Sequence, residues 1–529
     1  PTTLRSTRRQ RQMCIRDSAS SVANGEKRVR RQTNWKTRVL DGNPLGRGIV
    51  FSQARKQVLA KTGGHYPAPL RALEVVEQAV SRGLQAGLEA EARATGELAV
   101  SPVSKNLVHV FRLMEAVKNR KLTAAPRAVG AAGVVGAGVM GGGIAQLIAQ
   151  RVDIPVRLKD LEPEPLASGM AHAATLFDTQ VDRRRLSRAA AKEKMNLLLP
   201  TLDYSGFERL DLVVEAIVER LDIKQKVLAE LASRVPKETV LASNTSSLSI
   251  DLIGQNTPHP QRVVGMHFFN PVHRMPLVEI VRGAETSDES VSTVYEFSRR
   301  LGKTPVVVGN GPGFLVNRLL GFYMTEALWL LEEGFKVETI DGAMTAWGMP
   351  LGPLALIDEV GTDVAVKVAH ILAEAFGDRL PLPEWADRIS QSDRLGAKSG
   401  LGIYRYSGQE RQQPDPEIYR DLGLAAPEKN LARQRLTDRL VLPMVDEAAR
   451  CLEEGIARHA GDVDLAMIMG TGFPPFRGGL CRWADARGLE EVLESLQEFA
   501  REVGPRYAPS AALERTVAAG GFYDRFDAG

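Results

Sequence analysis

Val134-Val135-Gly136-Ala137-Gly138-Val139-Met140-Gly141-Gly142-Gly143-Ile144-Ala145 is the stretch that decides how the middle of this 529-residue chain folds. A strand-like apolar pair runs into Gly-x-Gly-x-x-Gly, and 24 residues after Gly136 the apolar run from Ile154 ends in Asp160. The spacing predicts a βαβ unit. Its glycines allow a tight turn, close approach of backbone to a pyrophosphate and close helix-strand packing, while the following helix N-terminus supplies amide donors and dipole. Asp160 is placed to accept hydrogen bonds from an adenosine ribose, and a carboxylate there repels a 2′-phosphate, which favours NAD over NADP. In a chain with 48 glycines the motif alone says little. The strand before it and the acid after it make it a dinucleotide site rather than a Gly-rich turn.

Working outward, polar residues recur at the ends of β-like runs. Val134-Val135 ends at Gly136, Leu158-Lys159 at Asp160, Leu212 to Val218 at Glu219, Val240 to Ala242 at Ser243-Asn244-Thr245-Ser246, and Val263 to Met266 at His267. In a doubly wound sheet the ligand crevice lies at the carboxyl edge of the strands, so these positions are predicted to converge in space.

His267 stands in Met266-His-Phe-Phe-Asn270-Pro271, ahead of a turn-like segment to Pro276 and a second apolar run containing Glu279. The two residues are equidistant from His273, so an antiparallel hairpin sets them opposite each other. A histidine beside two phenylalanines is commonly a satisfied core residue. A paired carboxylate at the crevice points instead to a general base whose imidazolium the acid stabilises. Further on, Gly309-Asn-Gly-Pro-Gly313 precedes a long amphipathic helix predicted from about Phe314 to Glu333 and ended by Gly334, with Asn317 in its first turn. An asparagine there is either a cap or a group facing the crevice.

Composition excludes several classes. The chain is 44% hydrophobic and 25% charged, a globular profile of roughly three units. Cys14, Cys451 and Cys481 are too few and too scattered for a disulfide framework or metal site, so no metal is expected. The near-bilayer uncharged stretch Ala128 to Gln150 holds seven glycines and is the nucleotide motif itself, which argues against a transmembrane segment. The formal charge of +4 is uneven: residues 1–39 carry eleven Lys/Arg against Asp17 and Glu26, leaving the remainder net acidic. This basic arm has one aromatic residue and neither an apolar h-region nor an initiator methionine. It is read as a disordered arm, the end of a fragment or foreign sequence, rather than a signal peptide or nucleic-acid module. From Leu40 to Lys121 two or three helices are predicted, with Ala72 to Glu97 an Ala/Leu/Glu-rich helical run.

The C-terminal half repeats itself. Glu326-Ala-Leu to Glu333-Gly334 recurs as Glu447-Ala to Glu454-Gly455, Ile340-Asp341-x-Ala-Met344 as Val463-Asp464-x-Ala-Met467, and Gly348-Met-Pro350 as Gly472-Phe-Pro474. A helical domain has been duplicated. Asp438 stands 121 residues beyond Asn317, so the second copy lacks the amide and is expected to serve packing, dimerisation or the substrate mouth. Lys398, in the turn-rich segment Gly396 to Tyr406 between the copies, is taken as solvated surface.

From about Ala128 onward the chain resembles the 3-hydroxyacyl-CoA dehydrogenase part of the bacterial fatty acid oxidation complex alpha subunit. The motifs that carry the resemblance are Gly136-Ala-Gly-Val-Met-Gly141, Val213-Val-Glu-Ala-Ile-Val-Glu219, Ser243-Asn-Thr-Ser-Ser247, His267-Phe-Phe-Asn-Pro-Val-His-Arg-Met-Pro-Leu-Val-Glu279 and Pro312-Gly-Phe-Leu-Val-Asn-Arg318. The resemblance implies an α/β Rossmann-type dinucleotide-binding domain followed by duplicated all-α dehydrogenase C-terminal domains. It makes His267 the catalytic base, Glu279 its partner, and Ser246 and Asn317 the groups holding the substrate oxygen. Met140, Asp160, Glu219, Lys224, Ser246 and Asn270 match positions that contact NAD. Asn43-Pro-Leu-Gly-Arg to Lys121 is similar to the end of an enoyl-CoA hydratase (crotonase) domain and its linking helix. No positions match the hydratase glutamates and oxyanion hole, so an N-terminally truncated chain without hydratase activity is expected. The implied organisation is a basic arm at 1–39, a helical remnant and linker at 40–125, the NAD domain at 126–310, the first helical copy at 311–408, a linker at 409–429 and the second copy at 430–529. Met469 stands where some relatives place a tyrosine near the substrate. The resemblance further implies an acyl-CoA substrate, a homodimer, a thiolase beta subunit as partner and a cytoplasmic location. Two alternatives stay open: a non-catalytic NAD-binding scaffold, which has no need of the His267–Glu279 pair, and a β-hydroxyacid dehydrogenase acting on a free acid, which normally centres on a lysine.

Overall fold

The computed structural model describes residues 43–408 and 410–527, so the basic arm expected over 1–39 lies outside the described residues. The chain divides into two compact units, residues 1–99 and 100–529.

In the first unit, Asn43 Oδ1 accepts the Gly46 N–H at 2.8 Å and starts α1 (Pro44–Thr62). Helices α2 (Pro67–Arg82) and α3 (Leu84–Ala99) follow. The helical run expected over Ala72–Glu97 is therefore two helices, parted at Gly83, whose φ of 92° is a backbone conformation that residues with a Cβ rarely adopt. The pair fold back closely, since a Cβ at Gly87 would lie 2.4 Å from Ala79 Cβ.

The second unit opens with α4 (Pro102–Asn119), capped by Ser101 Oγ. Its core is a sheet in the order β3-β2-β1-β4-β5-β6-β7-β8. The strands are β1 (Ala132–Val135), β2 (Val156–Lys159), β3 (Leu198–Thr201), β4 (Leu212–Glu215), β5 (Val240–Ser243), β6 (Val263–Phe268), β7 (Leu277–Arg282) and β8 (Thr304–Gly309). Neighbours from β3 through β6 are parallel, β6 and β7 are antiparallel, and β7 and β8 are parallel. Helices α5 (Val139–Arg151), α6 (Pro163–Asp182), α7 (Arg188–Met195), α8 (Leu221–Arg234), α9 (Ile250–Gly254) and α10 (Asp288–Arg300) connect them. Strands β1, β4 and β5 are buried at every position, which is why they read as unbroken apolar runs. The chain runs from β1 out to β3 and returns at β4, so the topological switch, and with it the crevice, lies between β1 and β4.

One strand is shorter than its sequence suggests. β4 stops at Glu215 rather than at Val218, because Glu215 Oε1 takes the Ile217 N–H at 2.8 Å and turns the chain out of the sheet. Glu219 consequently sits in the loop before α8.

The helical part begins with α11 (Val316–Glu332), two residues later than expected because Phe314 has φ 53°; Gly334, φ 91°, ends it as predicted. Then come α12 (Val337–Trp347), α13 (Pro353–Val360), α14 (Thr362–Phe376), α15 (Ala386–Ser390), the two-stranded pair β9 (Tyr404–Ser407) and β10 (Glu410–Pro414), and α16 (Ile418–Asp421). Residues 409–429, expected to be a linker, thus hold a strand and a helix, and Asp415 is buried there against Arg394 and Arg405, each at 2.6 Å. The second copy comprises α17 (Arg433–Glu453), α18 (Ala460–Thr471), α19 (Leu480–Arg487), α20 (Leu489–Glu502), α21 (Ala511–Ala518) and α22 (Phe522–Phe526).

The duplication is visible atom by atom. Asp341 accepts the N–H groups of Leu354 and Ala355, both at 2.9 Å, and the hydroxyl of Tyr404 at 2.7 Å. In the second copy Asp464 accepts from the Cys481 and Arg482 N–H groups at 2.6 and 3.1 Å and from the Tyr523 hydroxyl at 2.7 Å. Helix α4 joins the sheet to this second copy: Tyr295 of α10 donates to Val117 O at 2.9 Å, while Asn106 donates to Phe476 O at 3.0 Å and Arg120 pairs with Asp462 at 2.9 Å.

Candidate active site

The glycines at the crevice do different things. A Cβ at Gly136 would lie 2.5 Å from Ala216 O, and one at Gly141 would lie 1.7 Å from Gly136 O, so both positions require a bare backbone for β1, β4 and α5 to meet. A Cβ at Gly138 would meet nothing within 4 Å. Gly138 therefore leaves an open cradle above the first amides of α5, which fits a pyrophosphate at a helix N-terminus. Asp160, at the carboxyl end of β2, accepts the N–H of Ala137 from this loop and that of Leu161, both at 2.7 Å. These bonds fix the carboxylate at the rim where a ribose would lie. Met140 is half-buried in the first turn of α5, and Asn270 is exposed at the end of β6.

His267 and Glu279 are directly paired across β6 and β7. His267 Nδ1 lies 2.8 Å from Glu279 Oε2, and the other carboxylate oxygen accepts the N–H groups of Leu315 and Val316 at 3.2 and 2.9 Å. Glu279 is fully buried. One carboxylate thus caps the start of α11 and holds the imidazole, with the helix dipole favouring its charge. The rings of Phe269 and Phe314 lie 4.4 and 5.9 Å from the imidazole and hold its other edges. Since Nδ1–H must donate to the carboxylate, Nε2 carries the lone pair, and among the described residues nothing hydrogen-bonds it.

A second array stands beside the first. Glu219 Oε1 accepts from the Thr245 hydroxyl at 2.6 Å, the Ser246 N–H at 2.9 Å and the Ser246 hydroxyl at 3.2 Å. Lys224 Nζ lies 2.7 Å from Glu215 and 3.3 Å from Glu219. Burial alone would raise the Glu219 carboxyl, but Lys224 and the hydrogen bonds from Thr245 and Ser246 outweigh it and hold it below the usual range. Asn317 donates to Ser246 O at 3.0 Å, so α11 brings its amide to the serine loop. Lys224 lies beneath these groups with its side chain 1% exposed, where it supports Glu219 rather than facing the crevice. Asn244 Oδ1 accepts the Phe268 N–H at 2.8 Å and fixes the end of β6 next to His267.

Comparison with known proteins agrees with this geometry. The family model of the 3-hydroxyacyl-CoA dehydrogenase NAD binding domain matches residues 131–311, and that of the C-terminal domain matches twice, at 313–406 and 436–526. The fatty acid oxidation complex subunit alpha of Vibrio parahaemolyticus is 40% identical over 493 residues, which are 93% of this chain and 70% of that protein. The chain belongs to the fatty acid oxidation complex alpha subunit family. Among solved structures, 3-hydroxybutyryl-CoA dehydrogenase from Escherichia coli is similar with a TM-score of 0.64 and 28% identity, over 74% of this chain and 99% of that one. The dehydrogenase part of a multifunctional enzyme from C. elegans is similar with a TM-score of 0.56 and 25% identity, over 78% and 99% of the two chains.

This alpha-subunit relative is an NAD-dependent 3-hydroxyacyl-CoA dehydrogenase. Of its site, sequence reasoning missed Glu215, the buried carboxylate that pairs with Lys224 and accepts from the Ser243 hydroxyl at 2.6 Å. An acid ending the apolar run Leu212-Val-Val was the available signal. Among the described residues no helix is long and apolar enough to cross a membrane.

Proposed function

We propose that this chain oxidises (S)-3-hydroxyacyl-CoA to 3-oxoacyl-CoA with His267 as general base. The observation that carries the reading is the His267 Nδ1–Glu279 contact of 2.8 Å, made by a carboxylate whose other oxygen caps α11. That arrangement fixes the tautomer, orients the ring and leaves Nε2 to take the hydroxyl proton, while Glu279 stabilises the resulting imidazolium. Asn317 spends one amide hydrogen on Ser246 O and keeps another for the substrate oxygen; the Ser246 hydroxyl, held by Glu219, lies beside it. Gly136, Gly138, Gly141, Met140, Asp160 and Asn270 hold the dinucleotide, and Glu219 and Lys224 set the serine loop under it. NAD⁺, when bound, supplies the hydride acceptor. The cradle at Gly138 would hold its pyrophosphate and the carboxylate of Asp160 its adenosine ribose.

The units of this reading are the NAD domain at 126–310 and helical copies at 311–408 and 430–529. The relatives' name, a subunit of a complex, supports assembly with a partner subunit, which this reading takes as a thiolase beta subunit consuming the 3-oxoacyl-CoA; the bacterial setting of those relatives supports a cytoplasmic location, and a homodimer belongs to the same proposal.

The test is oxidation of NADH by the purified chain with acetoacetyl-CoA. His267→Ala is expected to lower kcat by roughly 10²- to 10⁴-fold while NADH still binds. Near-wild-type turnover in that variant would overturn the assignment.

A further inference from the structure

Glu215 carries a charge that the hydride-transfer reaction does not touch. It is the last residue of β4, opposite Val135 of β1 and Ser243 of β5, so it stands at the topological switch. Its side chain is 1% exposed, and both oxygens are engaged. Oε1 accepts the Ile217 N–H at 2.8 Å and Lys224 Nζ at 2.7 Å, while Oε2 accepts the Ser243 hydroxyl at 2.6 Å. Buried in this way, it is closed to any ligand.

The charges beside it do not cancel. Lys224 is equally buried and meets two carboxylates, Glu215 at 2.7 Å and Glu219 at 3.3 Å. Two carboxylates against one ammonium leave one negative charge. Because Glu215 answers Lys224 from inside the sheet, the excess falls on Glu219, whose side chain is 25% exposed and whose Oε1 holds Ser246. Burial raises the Glu219 carboxyl, yet Lys224 and the hydrogen bonds from Thr245 and Ser246 hold it below the usual range, so it stays ionised near neutral pH. The neighbouring charges are met elsewhere. Arg220 pairs with Asp222 at 2.7 Å, Glu279 is held by the start of α11 and by His267, and Lys367 reaches only the backbone oxygen of Glu219, from an exposed position where solvent screens it.

Hydride passes only between atoms in contact, so a ring that accepts it from the carbon whose oxygen Ser246 holds must lie beside this loop. That ring is cationic in the oxidised dinucleotide and neutral in the reduced one. We propose that Glu215 biases the crevice toward the oxidised form: by neutralising Lys224 from below, it leaves the Glu219 charge free to favour a cationic ring. Glu215 is a positioning residue that acts through Lys224 and touches neither substrate nor cofactor. The inference rests on the reading of the site as a 3-hydroxyacyl-CoA dehydrogenase. Without the Glu215 charge, Lys224 would cancel Glu219 and the bias would vanish.

NAD⁺ and NADH share every group but this ring, so the ratio of their dissociation constants reports the charge beside it. NADH is titrated by its fluorescence, and NAD⁺ by displacing it. Glu215→Gln removes the charge and keeps the bonds, since its carbonyl can take Ile217 and Lys224 while its NH₂ faces the Ser243 oxygen. The ratio Kd(NAD⁺)/Kd(NADH) is expected to rise roughly tenfold, the effect of one unit charge about 10 Å away at an effective dielectric near 20. Glu215→Asp retains the charge, and its ratio should stay within twofold of wild type even where both affinities fall. A purely structural role would weaken both forms alike and leave the ratio unmoved in either variant. Where Glu215→Gln fails to fold, Glu219→Gln neutralises the same array at its exposed end and should raise the ratio by as much or more. A folded Glu215→Gln protein with a ratio within twofold of wild type overturns the proposal, as does an unmoved ratio in Glu219→Gln or a Glu215→Asp ratio as high as that of the glutamine variant. The dehydrogenase reading survives those results when the wild-type chain oxidises NADH with acetoacetyl-CoA. A wild-type chain that does not do so overturns both.

Discussion

Replacing Glu279 by Gln separates charge from shape at the centre of the site. The native carboxylate accepts two backbone N–H groups at one oxygen, 3.2 and 2.9 Å away, and faces His267 Nδ1 with the other at 2.8 Å. A glutamine must keep its carbonyl at the helix end, because two donors wait there, so its NH₂ turns toward Nδ1. The imidazole then accepts at Nδ1 and carries its proton on Nε2, the nitrogen meant to take one. The imidazolium also loses its counter-charge. Two unit charges about 4 Å apart at an effective dielectric near 20 interact by about 4 kcal/mol, roughly a 10³-fold effect on rate. The expected result is a fall in kcat between roughly 10²- and 10⁴-fold, read as NADH oxidation with acetoacetyl-CoA, with NADH affinity by fluorescence changed by no more than about threefold. The melting midpoint should hardly move, because the cap on α11 survives. Glu279→Ala is the contrast, since it strands those buried N–H groups and should cost a further ~1 to 3 kcal/mol of stability. A folded Glu279→Gln protein with kcat within tenfold of wild type would refute the reasoning.

The glycine loop gives a second pair of outcomes: Gly138→Ala should leave the thermal midpoint unchanged and weaken NADH binding at least tenfold, because its Cβ enters the open cradle. Gly141→Ala, which would place a Cβ 1.7 Å from Gly136 O, should destabilise the fold by ~1 to 3 kcal/mol in urea melts; equal stability of the two variants would contradict the packing argument. Arg318, fully buried between Glu447 and Glu454, should cost about 3 kcal/mol when replaced by Met, and a loss under about 1 kcal/mol by denaturant titration would show the pairs to be dispensable. Burial, outweighing the N–H groups of Ile403 and Tyr404, pushes the Asp358 carboxyl up to about 6. An acid raised in the folded state makes folding less favourable as pH climbs from its ordinary value near 4 to about 6. Asp358→Asn removes that dependence, so the stability difference of wild type minus variant should fall across this window, and a difference that is flat or rises would refute the sign.

Much of the site was legible because its chemistry sits at strand ends, where an apolar run meets a polar residue. The symmetry of His267 and Glu279 about His273 was enough to predict their pairing, and the structure has that register. What escaped is what side chains do to backbone. Ala216-Ile-Val218 continues the apolar run of β4, yet Glu215 turns the chain by capping Ile217, and no periodicity encodes that. The resemblance sets Lys224 among the positions that contact NAD, and only the fold brings it onto Glu215 and Glu219. Residues 409–429 look like a polar linker because nothing nearby in sequence announces that Asp415 will be buried against Arg394. Of the three glycines in the helical stretch Ala72–Glu97, Gly83, with its positive φ of 92°, is the one at which the helix parts.

The duplicated domain separates scaffold from chemistry. At a constant offset of 121 residues, Arg318, Glu326 and Glu333 of the first copy correspond to Arg439, Glu447 and Glu454 of the second. The pairs are exchanged: Arg318 binds Glu447 and Glu454, while Arg439 binds Glu326 and Glu333. Helices α11 and α17 therefore grip each other through the same contact made twice, as about a local two-fold axis. The neighbouring position breaks that symmetry. Asn317 donates to the serine loop, whereas Asp438, its counterpart, is an acceptor engaged by Arg487 and Gln434. An ionised carboxylate has no hydrogen to offer a substrate oxygen. The second copy can thus reproduce the grip but not the donor, and what it does next to the site is hold Arg318, the residue beside Asn317, in place.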